Sequence, residues 1–324
     1  DLHLLSRRQR QMCIRDRSAG AGSVLTQMTC PDNFGLFQRA VIMSGMIRSP
    51  YAEEGMGIPP SLDEAEKLGE KFFNYLGVKT LAEARQLDAK YIRDCYDKFM
   101  YENEIMVTSR DNNICIGDPI RLFAQGEYAG VPVLAGNTED EFPFVIDAQN
   151  EEELEKRASA WFCKKAEEFL AIPQVHEQTK DGYAPVSGME LMTKAAFLLN
   201  EKSVKPANCY YYRFAPDIPG EDHPGTFHSV DLWFFFETLA KCWRPFVGRH
   251  YDLARQMCNY WANFIKYGDP NGTDDDGKVL PKWNPYQEND RAEMVFTAQG
   301  AKSGNEKNSK LMEFLLSDRI ERMK

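Results

Sequence analysis

Apolar positions along the chain form short unbroken blocks separated by longer amphipathic stretches. Ala40-Val41-Ile42-Met43 is one such block, ending at Ser44-Gly45, and Val131-Pro132-Val133-Leu134-Ala135-Gly136 is another. Short apolar runs without polar alternation predict strands buried on both faces, the habit of parallel sheets. Cys209-Tyr210-Tyr211-Tyr212-Arg213-Phe214 predicts a third, aromatic-rich strand. Elsewhere the period lengthens. Residues 61–76 open with Ser61 and Glu64, the sequence form of a capping box, and Thr80 with Glu83 repeats it. Residues 151–172, 188–201 and 249–267 also read as helices, the last with Leu253, Met257, Trp261, Phe264 and Ile265 near helical spacing. After Ser18, the small residues Ala19, Gly20, Ala21, Gly22 and Ser23 lead into Val24, Leu25 and Met28. They predict a helix whose first turn can approach another backbone closely. Pro31, Asp32, Asn33 and Gly35 end it. Strands separated by helices define an α/β layered class. The helices from residue 61 onward lie in a long insertion, residues 50–130. Residues 269–282 predict a turn-rich loop, and residues 299–309 a polar, mobile segment.

Charge changes the picture at one end. Residues 1–17 hold five arginines against two acids, whereas the whole chain carries −10. So abrupt a reversal marks a tail or a foreign segment. It lacks the apolar run of a secretory leader and resembles translated adapter sequence, so residues 1–17 are expected to lie outside the fold and residues 18–324 to form it. Composition excludes more. No apolar run approaches the roughly 20 residues of a membrane-spanning helix. No Lys/Arg stripe favours nucleic acid. Eight cysteines without a CxxC pair fit free thiols better than a disulfide framework or a zinc site. They favour a cytoplasmic parent, with a secreted one still open. No HExxH, Walker or GxGxxG word occurs, so neither a metal nor any other cofactor is expected. Oligomeric state is left open.

The candidate chemistry lies at three places. Ser18 stands before the small-residue helix, Glu141 just beyond the strand at 131–136, and His228 in a loop before an aromatic run. Singly they read as a helix cap, a solvated loop acid and an ordinary loop histidine. Jointly their order, Ser…Glu…His, is the α/β-hydrolase order. A serine hydroxyl needs an imidazole to take its proton. The imidazole needs a carboxylate on its other nitrogen to fix the tautomer. Trp233-Phe234-Phe235-Phe236 fits core packing, Ser44 a structural strand end, and Asn271-Gly272-Thr273 a loop rather than a glycosylation site.

Several words together resemble type B carboxylesterases, the family that includes cholinesterases. They are Ser18-Ala19-Gly20, Gly35-Leu36-Phe37-Gln38-Arg39-Ala40, Gly136-Asn137-Thr138 with Asp140-Glu141, and His228-Ser229-Val230-Asp231-Leu232. Tyr267-Gly268-Asp269-Pro270-Asn271-Gly272 and Leu280-Pro281-Lys282-Trp283 complete the set. The resemblance spans residues 18 to about 297. It implies the C-terminal part of an α/β-hydrolase fold: a mostly parallel sheet flanked by helices, with a helical insertion and without the N-terminal strands. It implies Ser18 as nucleophile, Glu141 as acid, His228 as base, the Ala19 N–H as one oxyanion donor, and a small-molecule ester as substrate. Two departures stand out. The family's Gly-Glu-Ser-Ala-Gly elbow is here Asp16-Arg17-Ser18-Ala19-Gly20, and Phe142 replaces the glycine after the acid. The family's His-Gly-Gly loop, which supplies other oxyanion donors, is absent from this sequence, so the chain alone is expected to be inactive or nearly so. A non-catalytic binding or adhesion module on the same fold is the alternative.

Overall fold

The computed structural model describes residues 12–52, 58–103, 106–305 and 308–324. The chain divides into two compact units, residues 1–57 with 119–324, and residues 58–118.

The larger unit is built on a six-stranded sheet, ordered β1-β2-β3-β7-β8-β9. Its strands are β1 (Cys13–Arg17), β2 (Arg39–Met43), β3 (Val133–Thr138), β7 (Cys209–Ala215), β8 (Ala292–Thr297) and β9 (Gly300–Asn305). All neighbours are parallel except β8 and β9. A small antiparallel sheet joins β4 (Pro143–Ile146), β5 (Gln178–Thr179) and β6 (Gly182–Ser187). The helices are α1 (Ala19–Thr29), α2 (Pro119–Gln125), α3 (Glu151–Phe162), α4 (Gly188–Glu201), α5 (Asp231–Phe235), α6 (Gly248–Tyr267) and α7 (Lys310–Met323). Short turns of helix lie between α3 and β5.

The unbroken apolar strands behave as their pattern requires. Side chains alternate faces along a strand. Ala40 and Ile42 join one core, with Val24, Leu25 and Met28 of α1 and Leu191 of α4. Val41 and Met43 join the other, with Leu253, Met257, Trp261 and Phe264 of α6. Tyr211 faces the first core, and Tyr210 and Tyr212 the second. Each fully buried Leu or Phe contributes about 1.5–3 kcal/mol, so both faces hold the sheet between helical layers. The Asn271 amide donates to Asp269 Oδ1 and to the Trp283 carbonyl, at 2.6 and 2.8 Å. The Asn271-Gly272-Thr273 triplet is thus a bonded turn.

Composition set residues 1–17 outside the fold, yet residues 13–17 form β1. It pairs with β2 from Cys13↔Arg39 to Arg17↔Met43. The reason is its place at the edge of the sheet. An edge strand accommodates charge on its open side. Arg15 and Asp16 are exposed, and only Arg17 is buried. Arg15 lies over the rings of Phe235 and Phe236, 4.9 and 4.7 Å from their centroids.

The smaller unit, residues 58–118, has its own core of Phe72, Leu76, Val78, Ala84 and Phe99. Both capping boxes form there. Ser61 accepts from the Glu64 N–H, and Glu64 from the Ser61 N–H at 2.7 Å. Thr80 and Glu83 do the same. The first helix, Leu62–Leu76, ends on Gly77 in the left-handed conformation, which glycine adopts without penalty. The neck of the unit closes where the Arg110 N–H donates to the Pro60 carbonyl at 2.7 Å.

Candidate active site

The candidate residues follow the carboxyl ends of β1, β2, β3 and β7. Ser18 is the single residue between β1 and α1, and it is held at φ 57°, ψ −125°. That conformation is costly for a residue with a side chain, by roughly 1–3 kcal/mol. It persists because the Ser18 N–H donates to the Met43 carbonyl at 2.9 Å while the Ser18 carbonyl accepts from Gly22 N–H at 3.0 Å. The Ser18 hydroxyl does not cap the helix. The cap reading is therefore excluded, and Ser18 stands at a strand-to-helix elbow. The Asp16 side chain, at the first position of this elbow, finds room against Gly20. A methyl group there would sit 2.3 Å from Asp16 Cγ, and Asp16 Oδ1 accepts from the Arg17 N–H at 2.8 Å.

Ser44 and Ser229 also have positive φ, 48° and 79°. Among the described residues, three of the eight non-glycine positions with positive φ thus fall at Ser18, at the end of β2 and beside His228.

Glu141 is buried beyond β3, and His228 lies in the loop between β7 and α5. Their side chains meet: His228 Nδ1 is 2.6 Å from Glu141 Oε2. The carboxylate fixes the proton on Nδ1 and leaves Nε2 as the basic nitrogen. The other oxygen, Glu141 Oε1, accepts from the Ser44 hydroxyl and from the Thr138 N–H at 3.2 Å. Burial alone would raise the Glu141 pKa. The hydrogen bonds from His228 and Ser44, with the charge of Arg17, outweigh it and hold the carboxyl below its usual range. A second tie joins the same loops, since the Thr226 N–H and hydroxyl both donate to Asp140 Oδ2, at 2.6 and 2.9 Å. Arg244 grips the histidine loop from its far end through two 2.9 Å bonds to Asp222. Phe142 lies over the imidazole with ring centroids 4.8 Å apart.

Arg17 completes the cluster. Its guanidinium is buried, 2.6 Å from Asp231 Oδ1 and 3.7 Å from Glu141 Oε1, and it donates to the Ser44 hydroxyl. Tyr212 donates to Asp231 Oδ2 at 3.1 Å. Burial raises the Asp231 pKa, with Arg17 opposing.

The structure thus joins Glu141 and His228 directly. No hydrogen bond links the Ser18 hydroxyl to His228 among the described residues; Ser18 is tied to the cluster through its neighbour Arg17 and through its N–H bond to the Met43 carbonyl beside Ser44. Ala19 opens α1, where an N–H has no carbonyl partner within the helix. Sequence reasoning missed Arg17 and took Ser44 as merely structural. His250 is settled as structural: it accepts from the Val247 N–H and donates to the Asp217 carbonyl. The described residues contain no cluster of three or more metal-ligating side chains.

A mostly parallel sheet flanked by helices, a serine on a strained elbow and a carboxylate–imidazole pair beyond the strand ends define an α/β-hydrolase fold. The chain belongs to the carboxylesterase family, whose model matches residues 10–315. It is similar to human cocaine esterase, 23% identical over 87% of this chain and 53% of that protein. It is similar to bovine bile salt-activated lipase, 26% identical over 83% and 50%. A solved PNB esterase structure superposes with a TM-score of 0.68 at 19% identity, covering 95% of this chain and 63% of that one. The chain spans about half the length of the curated relatives it matches.

Proposed function

We propose that this chain carries the nucleophile, acid and base of a serine carboxylic-ester hydrolase. The observation that supports it most is the 2.6 Å bond between His228 Nδ1 and Glu141, which leaves Nε2 free to act as a base, together with a serine held on a strained elbow. Ser18 Oγ attacks the ester carbonyl and gives its proton to His228 Nε2. The imidazolium, stabilised by Glu141, then protonates the leaving alcohol. Water, deprotonated by the same nitrogen, cleaves the acyl-serine. The Ala19 N–H faces the developing oxyanion. No cofactor takes part.

One oxyanion donor costs about 100- to 1,000-fold when lost. The family's His-Gly-Gly donors are not in this sequence, so the isolated chain turns over esters slowly or not at all. The test therefore reads the covalent step. An aryl phosphonate ester, incubated for hours and followed by intact mass, should add one adduct at Ser18, lost in Ser18→Ala and His228→Gln. A chain that stays unlabelled sinks the nucleophile assignment and favours the binding module. Rapid hydrolysis of p-nitrophenyl acetate, abolished by Ser18→Ala, would overturn the expectation of inactivity alone.

A further inference from the structure

Arg17 ends β1 beside Ser18, with its guanidinium enclosed among Ser44, Glu141 and Asp231. A guanidinium only donates, whereas a hydroxyl has one proton and two acceptor lone pairs. Arg17 donates to Ser44 Oγ and so occupies its acceptor side. The single Ser44 proton is then directed at the remaining neighbour, Glu141 Oε1. The Thr138 N–H donates to that same oxygen. Two donors therefore hold Oε1, and Oε2 is left for His228. A carboxylate offered one donor at each end could turn over; this one has a single satisfied orientation. Asp231, itself anchored by Tyr212, holds the far end of the guanidinium at 2.6 Å. One cation thereby serves two buried acids. An ionised acid at position 17, as in the resembled family's elbow, would have no proton to give Ser44.

We propose that Arg17 is the positioning residue of this site, fixing through Ser44 which oxygen of Glu141 faces His228. The proposal rests on the Ser18–His228–Glu141 reading but is tested apart from it. The readout is the far-downfield proton NMR signal of His228 Nδ1–H, identified by its absence in His228→Gln. Arg17→Met alone leaves Asp231 buried without its cation and risks unfolding. The informative variant is thus Arg17→Met with Asp231→Asn. With its far-ultraviolet circular dichroism intact, that protein should lose the signal or shift it upfield. Ser44→Ala should do the same, and combining all three changes should add nothing, because coupled members of one relay are non-additive. A folded Arg17→Met/Asp231→Asn protein with the parent signal overturns the proposal, as does an additive loss. Should that pair not fold, Ser44→Ala decides, since an unchanged signal there removes the relay. A signal that responds as expected in a chain whose Ser18 resists labelling counts against the proposed function and leaves this positioning role standing.

Discussion

At the scale of residues, backbone approach decides what is tolerated. A methyl group on Gly136 would fall 2.1 Å from the Tyr212 carbonyl of the neighbouring strand. Neither β3 nor β7 can yield, because both are buried in the middle of the sheet. Gly136→Ala should destabilise by about 3 kcal/mol, the upper end of ordinary overpacking. At Gly20 the obstacle is only the Asp16 carboxyl, the free end of a side chain, so Gly20→Ala should cost markedly less. Urea midpoints of the two variants make the comparison, and equal losses would contradict it. The same scale shows what the sequence discloses of the site. The pairing of Glu141 and His228 was legible from their chain order taken together with the family resemblance, since singly each reads as an ordinary loop residue. Arg17 was not, since one arginine among five near the N-terminus reads as tail charge. Its burial depends on Asp231, more than 200 residues away, and no local pattern records that. Ser44 is hidden for the same reason.

Elements respond to pH where a cation ties them together. His176 Nδ1 lies 2.7 Å from Glu151 Oε2, and Nε2 lies 2.8 Å from the Leu170 carbonyl. Both partners are acceptors, so they favour the doubly protonated ring. The Leu170 carbonyl first, and Glu151 second, raise its pKa above the ordinary 6.5. A raised value means that the stabilisation is complete below the unfolded pKa and is lost as pH rises through the folded one. The first turn of α3 and the helical turn at 166–170 should therefore loosen as pH rises above the ordinary histidine value of 6.5. Amide exchange in α3, compared in the parent and His176→Gln, reads this, and an equal pH response in both proteins would refute it. Legibility also followed physics here. β2, β3 and β7 are buried on both faces and announce themselves as apolar runs. The polar run 299–309 reads as mobile, yet residues 300–305 form β9 with four of six exposed, since an edge strand needs no hydrophobic face. β8, α7 and the small antiparallel sheet were also missed. Helix 151–172 is broken at Cys163, where φ turns to 52°, a conformation that no residue type there signals.

At the scale of the whole molecule, the boundary of the insertion is the instructive part. The sequence suggested residues 50–130, and the smaller unit is residues 58–118. The difference is α2, whose Ile120, Phe123 and Ala124 are buried in the core of the sheet unit. A helix with the same look as its neighbours belongs elsewhere because of what it packs on. Since the smaller unit has a core of its own, removing it exposes no half-built cluster of its own. Joining Pro60 to Arg110 by two glycines should leave the larger unit folded, with the His228–Glu141 proton signal still present. Circular dichroism and that signal test it, and an aggregated or signal-free product would contradict it.

The 2.7 Å bond between Pro60 and Arg110 gives the insertion the character of a cassette. The bond brings the two ends of the stretch 61–109 together within the smaller unit, so what lies between can lengthen, shrink or be exchanged about that closure. In the laboratory, the same neck is the place to graft a segment from a relative.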